Sequence, residues 1–337
     1  MIADLRSDTI TLPSPAMKEA MLNALLGDDV FQEDPTTTQL ENKLAELFGM
    51  EAGLFCPSGT MSNQIAIKAQ TQPLDEIICD RLSHIYNYET GGWAFHSGVS
   101  VRLTDGKQGK MTVKQAAECI LPDFDWYPNS RMLCIENTVN KGGGSVYTLS
   151  EMKALATFCQ TNNLIYHLDG ARIFNALAVL DVSANQVGPL FDSVSVCLSK
   201  GLGAPAGSVL LGKKDMIKKA RKIRKVMGGG MRQSGIIAAA GIYALENHLP
   251  DLRRDHENAQ RIAHEIRNLP DVRAVLPVET NIIIAETADA QQLHQTLANA
   301  GIRCSPFSPT HVRLVTHRDL RDEQVEELIG ALRQMCE

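Results

Sequence analysis

Short apolar runs alternate with helical patterns through the first two thirds of this chain, and that alternation constrains the fold more than any other feature. The runs are "AGLFC", "EIIC", "VSVRL", "RMLCIE", "LIYHLD", "DSVSVCLS" and "GSVLLG". Strands this short, rich in Val, Ile and Leu and separated by helices, predict an α/β domain with a mainly parallel sheet covered on both faces. A helix is predicted over Thr36–Phe48, with Leu40, Leu44 and Leu47 on one face and Gly49 as its stop. Another helix begins near Thr60, after "PSG".

The pattern changes near Asn247. Helix "LRRDHENAQRIAHEIRNL" leads to "VRAVL", "NIIIAE", a helix "AQQLHQTLANAG", then "IRCSPF", "HVRLVTH" and a last helix "RDEQVEELIGALRQM". Hairpin-spaced strands flanked by helices predict a small C-terminal α+β domain with an antiparallel sheet. The expected organisation is a large domain over 1–246, including the N-terminal segment, and a small one over 247–337. The basic run "KKARKIRK" (Lys218 to Lys225) reads as a solvated helix face, and the following "GGGMRQSG" is too glycine-rich for an uninterrupted helix.

At 337 residues, 44 % hydrophobic and 21 % charged, the chain is an ordinary globular composition. A formal net charge of −6 argues against nucleic acid or an anionic membrane as the main partner. No run approaches the roughly 20 apolar residues of a membrane span, and "MIADLRSDTITLP" lacks the apolar region of a signal peptide. The eight cysteines are scattered singly with no CxxC pair, as small buried hydrophobes in a reducing compartment are. A cytoplasmic location with no metal is the expectation.

Three stretches carry chemistry. In "VCLSKGLGAPAGS", Lys200 lies between an apolar run and a glycine-rich turn. A lysine there either reaches solvent from a strand end or is chemically used, for example as a Schiff base. In "LIYHLDGARIFNA", His167 and Asp169 share a strand face, and Asp169 ends the strand, where open α/β sheets keep functional groups. It suits a metal ligand, a ribose binder, a helix cap or the partner of a cationic ring. In "CPSGTMSNQ", Ser58, Gly59 and Thr60 precede a helix and suit either a phosphate cradle or an ordinary N-cap. An aspartate and a lysine at two strand ends, with a phosphate cradle, are what pyridoxal phosphate needs.

With those residues in view, the chain resembles the low-specificity L-threonine aldolases, within the aspartate-aminotransferase-like, fold type I enzymes. "DLRSDTIT", "GDDVFQEDPTT", "PSGTMSNQ", "HIYNYETGG", "DGARIFNA", "CLSKGLGAPAGS", "GGGMRQSG" and "VRLVTH" match family segments in order, over essentially the whole chain. The resemblance implies pyridoxal 5'-phosphate, held as an internal aldimine by Lys200, with Asp169 at the pyridine nitrogen and Ser58, Gly59 and Thr60 at the phosphate. It implies that His84 stacks on the ring and takes the substrate hydroxyl proton, directly or through water. Ser7, Arg172 and Arg313 would gather the substrate carboxylate, and Lys225 and Arg232 would approach the cofactor of a neighbouring subunit. The implied reaction is cleavage of L-threonine, L-allo-threonine and related β-hydroxy-α-amino acids to glycine and an aldehyde. The implied assembly is a homodimer with shared sites, paired into a tetramer.

The residues support parts of this directly. Alternation in "HVRLVTH" puts His311, Arg313 and His317 on one strand face, opposite Val312, Leu314 and Thr316. His84 lies in a polar, aromatic stretch before Gly91 and Gly92, with His96 and His167 as competitors for the base. Val139 stands where relatives commonly carry a histidine near the substrate hydroxyl, which puts the threo/allo preference in question. A β-eliminating lyase, aminotransferase or racemase on the same fold would use the same lysine and aspartate, and a non-catalytic cofactor-binding protein is the alternative from another class. A nicotinamide dehydrogenase is disfavoured, because no GxGxxG follows an early strand.

Overall fold

The computed structural model describes residues 2–336. Its centre is a seven-stranded sheet. In chain order after a two-residue strand β1 (Ala3–Asp4), these strands are β2 (Ala52–Cys56), β3 (Asp75–Asp80), β4 (Ser100–Thr104), β5 (Asn129–Glu136), β6 (Ile165–Gly170), β7 (Ser193–Cys197) and β8 (Ser208–Gly212). Their spatial order is β2-β8-β7-β6-β5-β3-β4. Every pairing is parallel except those of β8, which runs antiparallel to both β2 and β7. Two reversals cancel, so β2 points the same way as β7, and all strands but β8 end at one edge.

Both faces of the sheet are covered, which is why its strands read as continuous apolar runs. Leu54, Cys56 and Leu210 pack with Ile65, Ala66, Ile217 and Ala220 on one side. Their neighbours Phe55, Val209 and Leu211 join Leu40, Leu44 and Phe48 in the large core on the other. The helix expected from Thr36 starts at Pro35, with Asp34 capping the Thr37 N–H, and ends at Gly49 in the left-handed region, φ 63°. Its buried stripe is Leu40, Leu44 and Phe48, spaced by four, whereas Leu47 is 39 % exposed. The expected place of Leu47 on that face is therefore corrected: the steps of four carry the stripe past it to Phe48.

A second sheet has the order β12-β13-β10-β9 and is antiparallel throughout, from β9 (Val272–Val275), β10 (Ile282–Thr287), β12 (Ser305–Ser308) and β13 (His311–Val315). β11 (Ile302–Arg303) pairs in parallel with β1 instead. Ala3 and Leu5 thus join the core formed by Ile262, Ile283, Leu314 and Leu328. Leu5 also accepts the Val315 N–H at 2.8 Å. The N-terminal segment is stitched to the C-terminal sheet before it crosses to the edge of the central one, and this crossing positions Asp8.

The basic helix spans Lys214–Val226 and is not a uniformly solvated face. Arg224 is 2 % exposed, donating to the Phe55 carbonyl at 2.6 Å and pairing with Asp29. Arg221 pairs with Glu41 at 2.9 Å. Burying a guanidinium costs several kcal/mol unless it is paired and hydrogen-bonded, and Arg224 is both. Seven cysteines are buried and Cys336 is exposed, all as free thiols. Among the described residues, no helix is long and apolar enough to cross a membrane.

Candidate active site

The common edge of the central sheet carries Asp169, and Lys200 and Arg172 follow strands that end there. Glu136 ends β5 opposite Asp169 of β6, in register. Asp169 is 3 % exposed; its Oδ1 accepts the Ala171 N–H at 3.1 Å and its Oδ2 accepts from Asn63 Nδ2 at 3.0 Å. The same Asn63 nitrogen donates to Glu89 Oε1 at 2.9 Å. With its two N–H groups facing carboxylates, the amide can offer His167 only its oxygen, 3.2 Å from Nε2. His167 therefore carries its proton on Nε2 and accepts the Ser193 hydroxyl at Nδ1, 2.8 Å away. Complete burial pushes its pKa down to about 4, against the pull of Asp169. His167 shares the face of Asp169 as expected, but as a neutral strut rather than a base.

His84 opens a short helix, His84–Asn87, and is the histidine with open access, its side chain 28 % exposed. Its Nδ1 lies 3.0 Å from Glu89 Oε1. Glu89 is in turn held by Asn63 and Gln64. Burial opposes charge on His84, but the Glu89 hydrogen bond and the negative charges of Asp169 and Glu136 outweigh it, so its pKa lies above the usual value. An imidazole with Nδ1–H donated to a buried carboxylate presents Nε2 as its free base. His96, the other competitor, packs edge-on against Phe95 at 4.9 Å and takes no part in this network. His84, Glu89 and Asp169 also offer ligand atoms within 4.8 Å of one another. In this structure those side chains serve the hydrogen bonds just described.

The other side of the site is dominated by two arginines. Arg172 is fixed by Asp8, Nε to Oδ2 at 2.8 Å and Nη2 to Oδ1 at 2.6 Å, and both side chains are buried. Burial favours the neutral acid, but the charges of Arg172 and Lys200 and a hydrogen bond from Asn281 hold the Asp8 carboxyl down at about 2. Arg313 donates to Asn140 Oδ1 at 2.8 Å and to the Arg6 carbonyl at 3.0 Å, and stands 5.1 Å over the Phe307 ring. Its Nε is buried with no partner. Burial, and then the charge of Arg172, lower its pKa. Two adjacent cations with an unpartnered donor suit an incoming carboxylate. The expected polar face of β13 is mixed, because Val315 lies among Ile282 and Ile284. Ser7 caps the following turn, accepting the Thr9 N–H at 3.2 Å and its hydroxyl at 2.9 Å.

Lys200 lies three residues beyond β7, in a turn whose backbone is pinned: its carbonyl accepts the Thr11 hydroxyl at 2.7 Å and the Gly203 N–H at 2.8 Å. Among the described residues, no hydrogen bond or ion pair holds its amine. Ser58 caps the helix Gly59–Gln70, accepting the Met61 N–H at 3.2 Å, which leaves the amides of Gly59 and Thr60 without an acceptor inside the helix. These groups fit pyridoxal phosphate: free amides for an anion, a buried aspartate for a ring cation and an unengaged amine. Gly59 has a further reason to be glycine, since a Cβ there would lie 2.5 Å from Cys197 Sγ.

With that geometry in place, comparison with known proteins is informative. Residues 4–290 match the beta-eliminating lyase family. The low specificity L-threonine aldolase of Escherichia coli K12 is 41 % identical over 330 residues, covering 96 % of this chain and 96 % of its own. Low-specificity L-threonine aldolase 1 of Arabidopsis thaliana is 37 % identical over 341 residues, covering 98 % and 95 %. The chain belongs to the beta-eliminating lyase family, on its low-specificity L-threonine aldolase branch. The fold is shared with Leishmania major threonine aldolase at a TM-score of 0.87 and 19 % identity, covering 98 % of this chain and 99 % of that one.

Against that family membership, two residues stand apart from the site. Arg232 is an exposed side chain that pairs with Asp28 at 2.8 Å, and Lys225 is exposed near Gly230. Val139 is 1 % exposed and belongs to the large core. Its methyl group fills the space a Cβ on Gly109 would need. Four groups escaped the sequence reading: Asp8, Asn63, Glu89 and Glu136. Asp8, Asn63 and Glu89 sat inside segments quoted for other residues, and an acid at the very end of an apolar strand, as in "MLCIE", was a readable signal for Glu136.

Proposed function

We propose that this protein cleaves the Cα–Cβ bond of L-threonine, L-allo-threonine and related L-β-hydroxy-α-amino acids, releasing glycine and an aldehyde, with pyridoxal phosphate as cofactor. The observation that carries the reading is the edge of the central sheet bearing Asp169, Lys200, Arg172 and a hydrogen-bonded His84, with Arg313 of β13 adding an unpartnered donor. Lys200 would hold the cofactor covalently, the amides of Gly59 and Thr60 would take its phosphate, and Asp169 would pair with its ring nitrogen. Bound there, the cofactor supplies the sink for the electron pair released at Cα. Arg313 Nε and the Arg172 Nη1 left outside the Asp8 pair grip the substrate carboxylate. His84 Nε2 takes the β-hydroxyl proton, directly or through one water, while Glu89 steadies the imidazole.

The active assembly is a homo-oligomer, a dimer with shared sites paired into a tetramer, in the cytoplasm. Support comes from Leu12, Phe31 and Val226, which are 69 %, 68 % and 88 % exposed, and from the outward-pointing Lys225 and Arg232. The free, mostly buried cysteines suit a reducing compartment. The test is product analysis with added pyridoxal phosphate on L-threonine, L-allo-threonine and L-phenylserine. Glycine and aldehyde in equal amounts are expected. Keto acid with ammonia, inverted amino acid, or no product from any of the three would overturn the reading.

A further inference from the structure

Glu136 is a buried carboxylate with no cation against it. It is 4 % exposed, and among the described residues its only hydrogen bonds come from two backbone amides. Its Oε2 accepts the N–H of His84 at 2.8 Å, and its Oε1 accepts the N–H of Asn140 at 2.9 Å. Both receivers matter to the site. His84 carries the free Nε2, and the side chain of Asn140 receives Arg313 Nη1 at 2.8 Å. One carboxylate therefore spans from the loop that presents the base to the residue that holds the carboxylate-binding arginine.

Strand register sets Glu136 directly opposite Asp169 at the ends of neighbouring strands. Several ionisable groups surround the carboxylate: Asp169 of β6, His84 and Tyr88 from the short helix, Arg172 beyond β6, Cys79 of β3 and Tyr147 of the loop after β5. Burial and then the charge of Asp169 push its pKa up to about 7, against the two amides and His84. A carboxylate kept in so unfavourable a place, without an ion pair, has to be explained by what it holds.

We propose that Glu136 is a positioning residue that sets the distance between the base, His84, and the carboxylate grip of Arg313, through its two amide contacts and Asn140. The idea rests on the aldolase reading, because in a β-hydroxy-α-amino acid the hydroxyl and the carboxylate are a fixed number of bonds apart. A frame that holds both receivers at one spacing selects that class of substrate. Glutamine at this position keeps one acceptor and turns an N–H group towards the other amide. Aspartate keeps the charge but is one methylene too short to reach both.

The test compares the wild-type holoenzyme with Glu136→Gln, Glu136→Asp and Asn140→Ala, by turnover of L-threonine and by calorimetric titration of glycine. A hydrogen bond to a charged acceptor is the larger kind. We therefore expect kcat/KM to fall at least tenfold in both Glu136 variants, with losses in kcat as well as KM. Asn140→Ala keeps Glu136 in place, so its loss falls on KM and on glycine affinity, roughly tenfold, with kcat within about twofold of wild type. Glu136→Asp with wild-type kcat/KM would mean that charge alone matters and would overturn the proposal, as would an unchanged glycine affinity in Asn140→Ala. If Glu136→Gln does not fold, the Asn140 variant decides the matter. If the wild type releases no aldehyde, the aldolase reading fails, while glycine titration still tests the Asn140 link.

Discussion

Removing the charge of Asp8 is the sharpest test of how the site is held. In Asp8→Asn, the Arg172 guanidinium keeps its burial, 5 % side-chain exposure, but loses a partner that holds it at 2.8 and 2.6 Å. The uncompensated cation then faces Arg313, whose pKa is already lowered by burial and then by Arg172. Breaking one half of a buried pair costs about 3–5 kcal/mol. The proton linkage of Asp8 alone gives less. Its carboxyl goes from 3.8 to about 2 on folding, a difference worth about 2 kcal/mol. The two figures differ for a physical reason: protonating Asp8 removes its own charge-dependent gain, whereas the mutation also leaves Arg172 without the geometry of the pair. Because the folded-state value is depressed, this stabilisation is complete above about pH 4 and fades as pH falls towards 2. Denaturant unfolding at pH 7 should show a loss of about 3 kcal/mol or more for Asp8→Asn, and the gap between variant and wild type should narrow by about 2 kcal/mol between pH 4 and 2. A loss under about 0.5 kcal/mol at pH 7, or a gap independent of pH, would refute the argument that this pair organises the grip.

Two further substitutions address packing at the site. Gly59→Ala should destabilise the protein by about 1–3 kcal/mol by overpacking, because the new methyl meets Cys197 Sγ at 2.5 Å. Removing that sulfur in Gly59→Ala/Cys197→Ala should recover part of the loss in thermal melts, and simple additivity of the two changes would show that the contact is not the cause. Val139→His should change the ratio of L-threonine to L-allo-threonine cleavage by supplying a hydrogen-bonding group. It should also cost about 1–3 kcal/mol, because Val139 is 1 % exposed and fills the space beside Gly109. An identical ratio would remove position 139 from the question of stereochemistry.

The large architecture was legible because each central strand is buried on both sides, which leaves continuous apolar runs, and because those runs are spaced for helices between them. The helix ending at Phe48 shows where that legibility stops. Leu47 and Phe48 are adjacent apolar residues, and which one faces the core depends on a few tens of degrees of helix rotation that only packing decides. Arg224 reads as solvent-facing because it sits in a dense run of lysines and arginines, although Ile217, Ala220 and Ile223 of the same helix pack against the sheet. Its burial is licensed by Asp29, 195 residues away in sequence. The same distance in sequence hid Asp8 from Arg172, 164 positions apart, and Asn63 from Asp169, 106 apart. No local pattern records pairings of that kind.

Residues that touch a substrate and residues that hold them in place also differ in how they show themselves. Lys200 and Asp169 look anomalous in their local sequence, since a polar group interrupts an apolar or glycine-rich stretch, and His84 stands out only as a histidine in a polar, aromatic loop. Asp8 and Glu136 look like ordinary acids, and their meaning comes from what meets them. Both are fully enclosed, yet one carboxyl is held at about 2 and the other raised to about 7. Burial acts on both in the same direction, so it does not separate them. Arg172 does, by donating two side-chain hydrogen bonds to Asp8 while Glu136 receives only backbone amides and faces a second carboxylate, Asp169. Asp8 is therefore committed to its charge across the physiological range, as a counter-ion must be. Glu136 is raised beside a base that is itself raised, and it holds the spacing between His84 and Arg313 through two amide contacts and not through an ion pair.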